Sequence, residues 1–309
     1  MSVWYQLVAS HGNTTLTTRF GASAALATPF NPDGSIDIKL LVAHARTCLE
    51  QGCRSVTLFG TTGEGASIGD DERDAVFDAM LAGGITGSQL VAGVLVSAAA
   101  DAASQARRAL DRGVRNILLA PPSYFKGISE DGLFRWFADV FAAIGPGARD
   151  VLVYNIPSVT QVQIGLEVIA RLREAFPAVV TGVKDSGGDW SYSEALLQAQ
   201  ARDMVILIGD ERHLAQAVQL GAEGAISGMA NYATQAIAAM CEDGTEDSRV
   251  TGYVEALLRH PVIPAVKATL AACAGDDRWL AVRAPLDVTP PDVRAALATR
   301  FEKLFGTAR

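Results

Sequence analysis

The sequence predicts an α/β chain, a (β/α)8 barrel of TIM type carrying a C-terminal appendage of three helices. Three observations lead there. Eight short apolar segments of strand length recur between Phe20 and Ser227, several of them β-branched. Amphipathic helical patterns fill the intervals, so that eight βα units occupy ~225 residues, the size of such a barrel. After about Gly244 the alternation stops and only helical patterns follow. This divides the chain into an N-terminal extension (1–18), a barrel (19–245) and a helical domain (246–309).

Taken in order, strands fall near Ala22–Ala27, Ser55–Phe59, Leu90–Val94, Asn116–Leu119, Val151–Tyr154, Val179–Lys184, Val205–Ile208 and Gly224–Ser227. Their near-continuous apolar character is that of parallel strands buried on both faces. Helical patterns run over Ile38–Glu50, Asp71–Leu81, Ala102–Arg112, Gly132–Ile144, Leu166–Ala175, Tyr192–Ala201, Glu211–Leu220 and Tyr232–Cys241. Some open on capping residues, as in Asp70-Asp71-Glu72 and Ser129-Glu130-Asp131, where side-chain oxygens satisfy free N–H groups. Others close on glycine, at Gly52, Gly83, Gly113 and Gly221. The appendage comprises Arg249–Arg259, Val262–Ala274 and Pro291–Phe305, separated by turn signals such as Gly275-Asp276-Asp277. A doubly wound sheet is the rival architecture, since it shares the alternation; no G-x-G-x-x-G follows the first strand.

Composition narrows the function classes. The 309 residues are 49% hydrophobic and 19% charged, ordinary for a globular protein. A net charge of −8 without a Lys/Arg-rich block argues against nucleic-acid and anionic-membrane partners. No apolar run is long enough to span a bilayer. Met1–Thr18 lacks the basic start and sustained apolar stretch of a signal peptide, and Trp4, Tyr5 and Leu7 are its candidates for docking on the body of the protein. Cys48, Cys53, Cys241 and Cys273 show no ligand spacing and read as reduced thiols of a cytoplasmic protein. His11, His44, His213 and His260 are scattered, so no metal site is expected.

In a barrel of this kind the C-terminal ends of the strands line the site. Strand two ends in Gly60-Thr61-Thr62-Gly63-Glu64-Gly65, a nest of N–H groups and hydroxyls suited to a small carboxylate. Strand four leads to Pro121-Pro122-Ser123-Tyr124-Phe125-Lys126, and strand five ends in Tyr154-Asn155-Ile156-Pro157. Strand seven gives Gly209-Asp210-Glu211 and strand eight Ser227-Gly228. Strand six ends on Lys184. Simple alternation puts Lys184 on the face of Gly182 and Val180, with Gly182 leaving space beneath the amine and Val180 giving an apolar floor. Desolvation at such a spot favours the neutral amine, a nucleophile that condenses with a ketone to a Schiff base.

Three of these stretches, Gly60-Thr61-Thr62-Gly63-Glu64, Tyr154-Asn155-Ile156-Pro157 and Gly182-Val183-Lys184-Asp185, occur in order on three site-lining strands. In them the chain resembles the dihydrodipicolinate synthase / N-acetylneuraminate lyase superfamily of pyruvate-dependent, Schiff-base aldolases. The resemblance runs from about Phe20 to the C-terminus. It implies a (β/α)8 barrel with a helical C-terminal domain, assembled as a homotetramer or dimer. It also implies that Lys184 forms the imine with pyruvate or a related 2-keto acid, and that Tyr154 is the general acid/base. Thr61 and Thr62 would bind the keto-acid carboxylate, with the Thr62 hydroxyl relaying protons. Tyr124 would complete a relay in a neighbouring subunit's site. Gly63, Gly209, Asp210, Glu211 and Ser227 are the further substrate-binding candidates, the two carboxylates for acceptor hydroxyls. No external cofactor is expected, and the partners are a small keto acid and an aldehyde.

One position departs from the pattern. The synthases of this superfamily carry an arginine two residues after the Tyr-Asn-x-Pro proline, for their amino-aldehyde substrate's carboxylate; here it is Val159. An apolar side chain does not replace a guanidinium fork, although Lys126 offers a compensating base. The sequence thus favours an aldolase or lyase acting on a 2-keto-3-deoxy acid. The synthase itself, a dehydratase using the same imine, and a non-catalytic keto-acid sensor are the alternatives.

Overall fold

The structure is a computed structural model, and it describes residues 19–306; the extension read over residues 1–18, with Trp4, Tyr5 and Leu7, lies outside the described residues. Eight parallel strands close into a barrel in chain order, β1 (Gly21–Ala25), β2 (Ser55–Leu58), β3 (Leu90–Val94), β4 (Asn116–Leu119), β5 (Val151–Asn155), β6 (Val180–Asp185), β7 (Val205–Ile208) and β8 (Gly224–Ser227). The doubly wound alternative is thereby excluded. Between and after the strands run α1 (Ile38–Glu50), α2 (Asp70–Ala82), α3 (Ala99–Asp111), α4 (Glu130–Ile144), α5 (Pro157–Thr160), α6 (Leu166–Ala175), α7 (Trp190–Gln200), α8 (Leu214–Gln219) and α9 (Thr234–Asp243). The pattern over Glu211–Leu220 resolves into a 3-10 turn at Glu211–His213 and the short α8. The sequence reading left out α5, a single turn started by Pro157, whose fixed φ suits the first helical position.

Side-chain parity explains how the barrel fills. Residues such as Val56, Leu58, Val151, Val153, Ile206 and Ile208 point outward into one large core shared with the helices. Leu118, Leu152, Tyr154, Leu207 and Ile226 point inward and form a separate cluster inside the ring. Closure between β1 and β8 is pinned above the strands by Asn231, whose Oδ1 accepts from Ala27 N (3.0 Å) and whose Nδ2 donates to Ala25 O (2.8 Å). Capping fixes where helices begin: Asp37 accepts from Leu40 N at 3.0 Å, and Ser129 from Gly132 N at 3.1 Å.

After α9 come α10 (Ser248–Leu257), α11 (Val262–Ala274) and α12 (Pro291–Phe305). Helix α11 inserts Lys267 into the molecule, where both it and its partner Glu64 have fully buried side chains. The appendage therefore packs against the barrel end that carries the C-termini of the strands. No helix among the described residues is long and apolar enough to cross a membrane.

Candidate active site

Alternation fails in β6, and the failure decides what faces the site. The register between β5 and β6 slips at Val151/Leu152, pairing Val151 with Val180 but Leu152 with Gly182, so Thr181 is an extra residue. Val180 consequently turns outward to join the helix-side core, and it is not the floor under Lys184. Gly182 and Lys184 remain inward, but Gly182 leaves no space beneath the amine. A Cβ there would lie 2.3 Å from Val205 O and 2.7 Å from Leu152 Cδ2, so this glycine permits close packing of β6 on its neighbours. The glycine that makes room for the lysine is Gly209, one strand away. A Cβ at Gly209 would meet Lys184 Cε at 2.9 Å and Ser186 Oγ at 1.9 Å.

Lys184 is 5% exposed and ends at the bottom of a cavity of about 180 Å3. Its Nζ donates to Tyr154 Oη at 3.3 Å and stands 4.4 Å from the centre of that ring. The two side chains are neighbours because Tyr154 and Lys184 are paired in the β5–β6 ladder, both facing inward. The Tyr154 hydroxyl continues to Thr61 Oγ1 at 3.3 Å. A chain of three polar groups therefore starts at the amine. None of the ion pairs among the described residues includes Lys184, so no carboxylate holds its amine in place.

The strand end carrying the lysine is locked from below. Asp185 Oδ1 accepts from Asn155 Nδ2 at 2.9 Å and from Gly187 N at 3.0 Å, while Oδ2 accepts from Ser193 Oγ at 2.6 Å. Asn155 Oδ1 in turn accepts from Ile164 N at 3.1 Å. These buried residues hold β5 and β6 together where Tyr154 and Lys184 emerge. The sequence reading gave Asn155 and Asp185 no role, although both stand in its motifs, next to Tyr154 and Lys184.

The loop after β2 supplies the hydroxyls, and the two threonines face different parts of the site. Thr61, not Thr62, meets Tyr154. Thr62 lines the other side of the cavity, where a Cβ on Gly228 would sit 3.4 Å from its Oγ1. No main-chain acceptor among the described residues takes the N–H groups of Thr61, Thr62 or Gly63, which leaves donors for an oxyanion. Gly63 itself is absent from the cavity wall. A Cβ there would lie 2.7 Å from Leu26 O, and its carbonyl accepts from Thr28 Oγ1 at 2.7 Å.

Two further candidates are already engaged. Glu211 Oε1 accepts from Ser227 Oγ at 2.6 Å and from Met229 N at 3.5 Å. Burial pushes the Glu211 carboxyl up, against the opposing Ser227 bond. Ser227 follows the inward Ile226, so it turns outward to Glu211 and not into the cavity. Asp210 lines the cavity but is gripped by Arg212, with Oδ2 2.6 Å from one guanidinium nitrogen and Oδ1 2.9 Å from Nε. Burial raises its carboxyl, and the Arg212 guanidinium outweighs this and holds it below the usual range.

The acceptor side is apolar. Ile156, Val159 and Met229 line the cavity, joined by Val254, Leu257, Val262 and Val266 of the appendage. Lys126 does not reach in; its ammonium donates to the carbonyls of Ser123 and Thr160. Tyr124 is 80% exposed, packed edge-on against Phe125, and is not part of the cavity wall of its own chain.

Residues 19–295 match the dihydrodipicolinate synthetase family. This chain belongs to that family. The resemblance drawn from the three motifs is thus borne out, and as a member of the dihydrodipicolinate synthetase family the chain is a lyase. An uncharacterized DapA-like lyase of Chloroflexus aurantiacus is 31% identical over 295 residues, covering 92% of this chain and 97% of that protein. Dihydrodipicolinate synthase from Agrobacterium tumefaciens str. C58 shares 55% identity, with a TM-score of 0.91 over 93% of this chain and all of that one (100%). The chloride-inhibited dihydrodipicolinate synthase of Acinetobacter baumannii, solved with pyruvate, shares 26% identity, with a TM-score of 0.83 over 94% of this chain and 100% of that one.

Proposed function

We propose that the chain is a Schiff-base aldolase that joins pyruvate to an aldehyde, or cleaves the resulting 4-hydroxy-2-keto acid. The observation carrying this reading is the buried chain Lys184 Nζ–Tyr154 Oη–Thr61 Oγ1 on the cavity wall. The Lys184 amine attacks the keto carbon of pyruvate, whose carboxylate lies on the free N–H groups of the Thr61-Thr62 turn. The carbinolamine hydroxyl takes a proton from Tyr154 and leaves as water, and the protonated imine forms with Tyr154 as its phenolate counter-ion. As an electron sink, this cation allows the methyl carbon to give a proton to the Tyr154 phenolate, which restores the phenol. The resulting enamine carbon forms the new bond to the aldehyde carbon, and the aldehyde oxygen takes a proton from Tyr154. Hydrolysis of the imine then releases the product and restores the amine. The 3.3 Å contact between Thr61 Oγ1 and Tyr154 Oη supports Thr61 as the relay in this reading, in place of Thr62.

Tyr154→Phe removes the proton carrier while leaving the imine-forming lysine. Turnover is expected to fall ~10²–10⁴-fold, the usual contribution of a positioned acid/base. Steady-state kinetics alongside pyruvate binding checks this, and a loss confined to pyruvate affinity would speak against the role.

A second reading, the synthase acting on pyruvate and aspartate semialdehyde, is favoured by the 55% identity to the Agrobacterium protein. Against it stand Val159, 56% exposed at the position of the substrate-gripping arginine, and the engagement of Lys126 elsewhere. The deciding experiment measures pyruvate consumption with aspartate semialdehyde and with other aldehydes. The aldolase reading expects the semialdehyde to be the poorer acceptor by ~10²-fold or more, since the loss of a charge-assisted bidentate contact costs several kcal/mol. A semialdehyde preference would transfer the assignment to the synthase. The exposed Tyr124 is consistent with a contact to a second copy in a homotetramer or dimer, which is part of the same proposal.

A further inference from the structure

A second cavity of about 240 Å3 lies beside the catalytic one. The two share Thr61, Ile156 and Val159 in their walls, so they adjoin where the synthases would place an arginine. Leu95, Ala120, Pro121, Ile263, Pro285 and Leu286 supply apolar surface to this second chamber. Its one charged lining residue, Glu64, is already engaged: Oε1 by Lys267 Nζ at 2.6 Å and Oε2 by Arg283 N at 2.8 Å. The Thr160 hydroxyl there is likewise committed, donating to Ile156 O at 3.0 Å. In the catalytic cavity the charged wall residues besides Lys184 are Asp210 and Glu211, held by Arg212 and Ser227.

We infer that the acceptor aldehyde carries an uncharged, apolar substituent, alkyl or aryl, that lodges in this second chamber. The inference rests on the aldolase reading of the same site. Among the described residues, neither cavity wall holds a cation besides Lys184 for a second carboxylate, and in the second chamber Ser67 and Ser123 are the two hydroxyls without a partner. A charged substituent would lose its water without a counter-charge, and a row of hydroxyls would find only part of its hydrogen bonds again at Ser67 and Ser123, which disfavours both. The size is sufficient: an apolar cavity of about 150 Å3 accommodates a benzene ring. Val159 thus has a positive function. It turns the junction between the chambers apolar, and it selects against the substrates that an arginine would hold.

The test compares benzaldehyde with glyceraldehyde as acceptors for pyruvate, reading kcat/KM from formation of the 4-hydroxy-2-keto acid. Benzaldehyde is expected to exceed glyceraldehyde ~10- to 100-fold, the range over which apolar contacts discriminate. Leu286→Asp and Ile263→Ser, both at partly exposed positions where folding tolerates change, are each expected to reduce that ratio ~10-fold, mainly through the KM for benzaldehyde. A wild-type ratio near or below one, or a ratio that neither variant moves, overturns the inference. Borohydride reduction with pyruvate alone, on the same wild-type preparation, separates the two levels. An adduct on Lys184 without apolar preference discards the chamber and keeps the aldolase. Absence of any adduct discards both.

Discussion

Lys184→Ala is expected to lower turnover by about 10⁴-fold or more, because in the proposed reaction it removes the nucleophile and leaves nothing to replace it. Tyr154 and Thr61 can still exchange a proton in such a variant, and the N–H groups of the threonine turn still face the cavity. What disappears is the covalent electron sink, without which the methyl group of pyruvate is too weakly acidic to be deprotonated at neutral pH. Lys184→Arg should be as inactive, since a guanidinium keeps its proton and does not condense with a ketone. Gly209→Ala offers a milder check on the same site. Its methyl group would press on Lys184 Cε and Ser186 Oγ, so it displaces the amine without deleting it. Turnover assays on the two lysine variants, with circular dichroism to verify folding, read the effect.

Lys267→Met carries the largest expected effect on stability. Nζ of Lys267 donates to Glu64 Oε1 at 2.6 Å and to Thr28 O at 2.8 Å, and stands 4.6 Å from the centre of the Phe30 ring. Burial pushes the ammonium down, and the Glu64 carboxylate opposes that shift. Removing the lysine leaves the buried Glu64 carboxylate with the main-chain N–H of Arg283 and, at longer range, the Arg283 guanidinium for compensation. Breaking a buried pair from one side costs ~3–5 kcal/mol, a large share of the ~5–15 kcal/mol that holds a domain together. The urea midpoint of Lys267→Met should fall accordingly. Adding Glu64→Gln should recover part of the loss, because the uncompensated charge is then gone. Activity should decline with the single variant as well. Glu64 adopts a left-handed backbone (φ 54°) at the end of the Gly60–Glu64 turn, and the ion pair is what ties that turn to α11.

The barrel was legible because its signal is local and repeated. Strands such as Leu90–Val94, Asn116–Leu119, Val205–Ile208 and Gly224–Ser227 begin and end where the apolar runs do. Lys184, Tyr154 and Thr61 could be read as strand-end residues for the same reason. What escaped depends on neighbours that one strand does not reveal. The extra residue at Thr181 shows only in the pairing of β6 with β5, and it overturned the parity by which Val180 was placed under the lysine. Space for Lys184 comes from Gly209 on the adjacent strand. Ser227 was one step out of phase with the inward Ile226, which sends its hydroxyl to Glu211. The Glu64–Lys267 pair joins residues 203 positions apart, with no trace in local pattern. Choosing between Thr61 and Thr62 required the position of Tyr154 Oη, which no spacing encodes.

The measurement that bears most directly on the central claim is borohydride reduction of the protein with pyruvate, followed by peptide mass analysis. A reduced pyruvyl adduct is expected on the peptide containing Lys184, dependent on pyruvate and absent from Lys184→Ala. A modification on some other lysine, or full turnover with none at all, would contradict it.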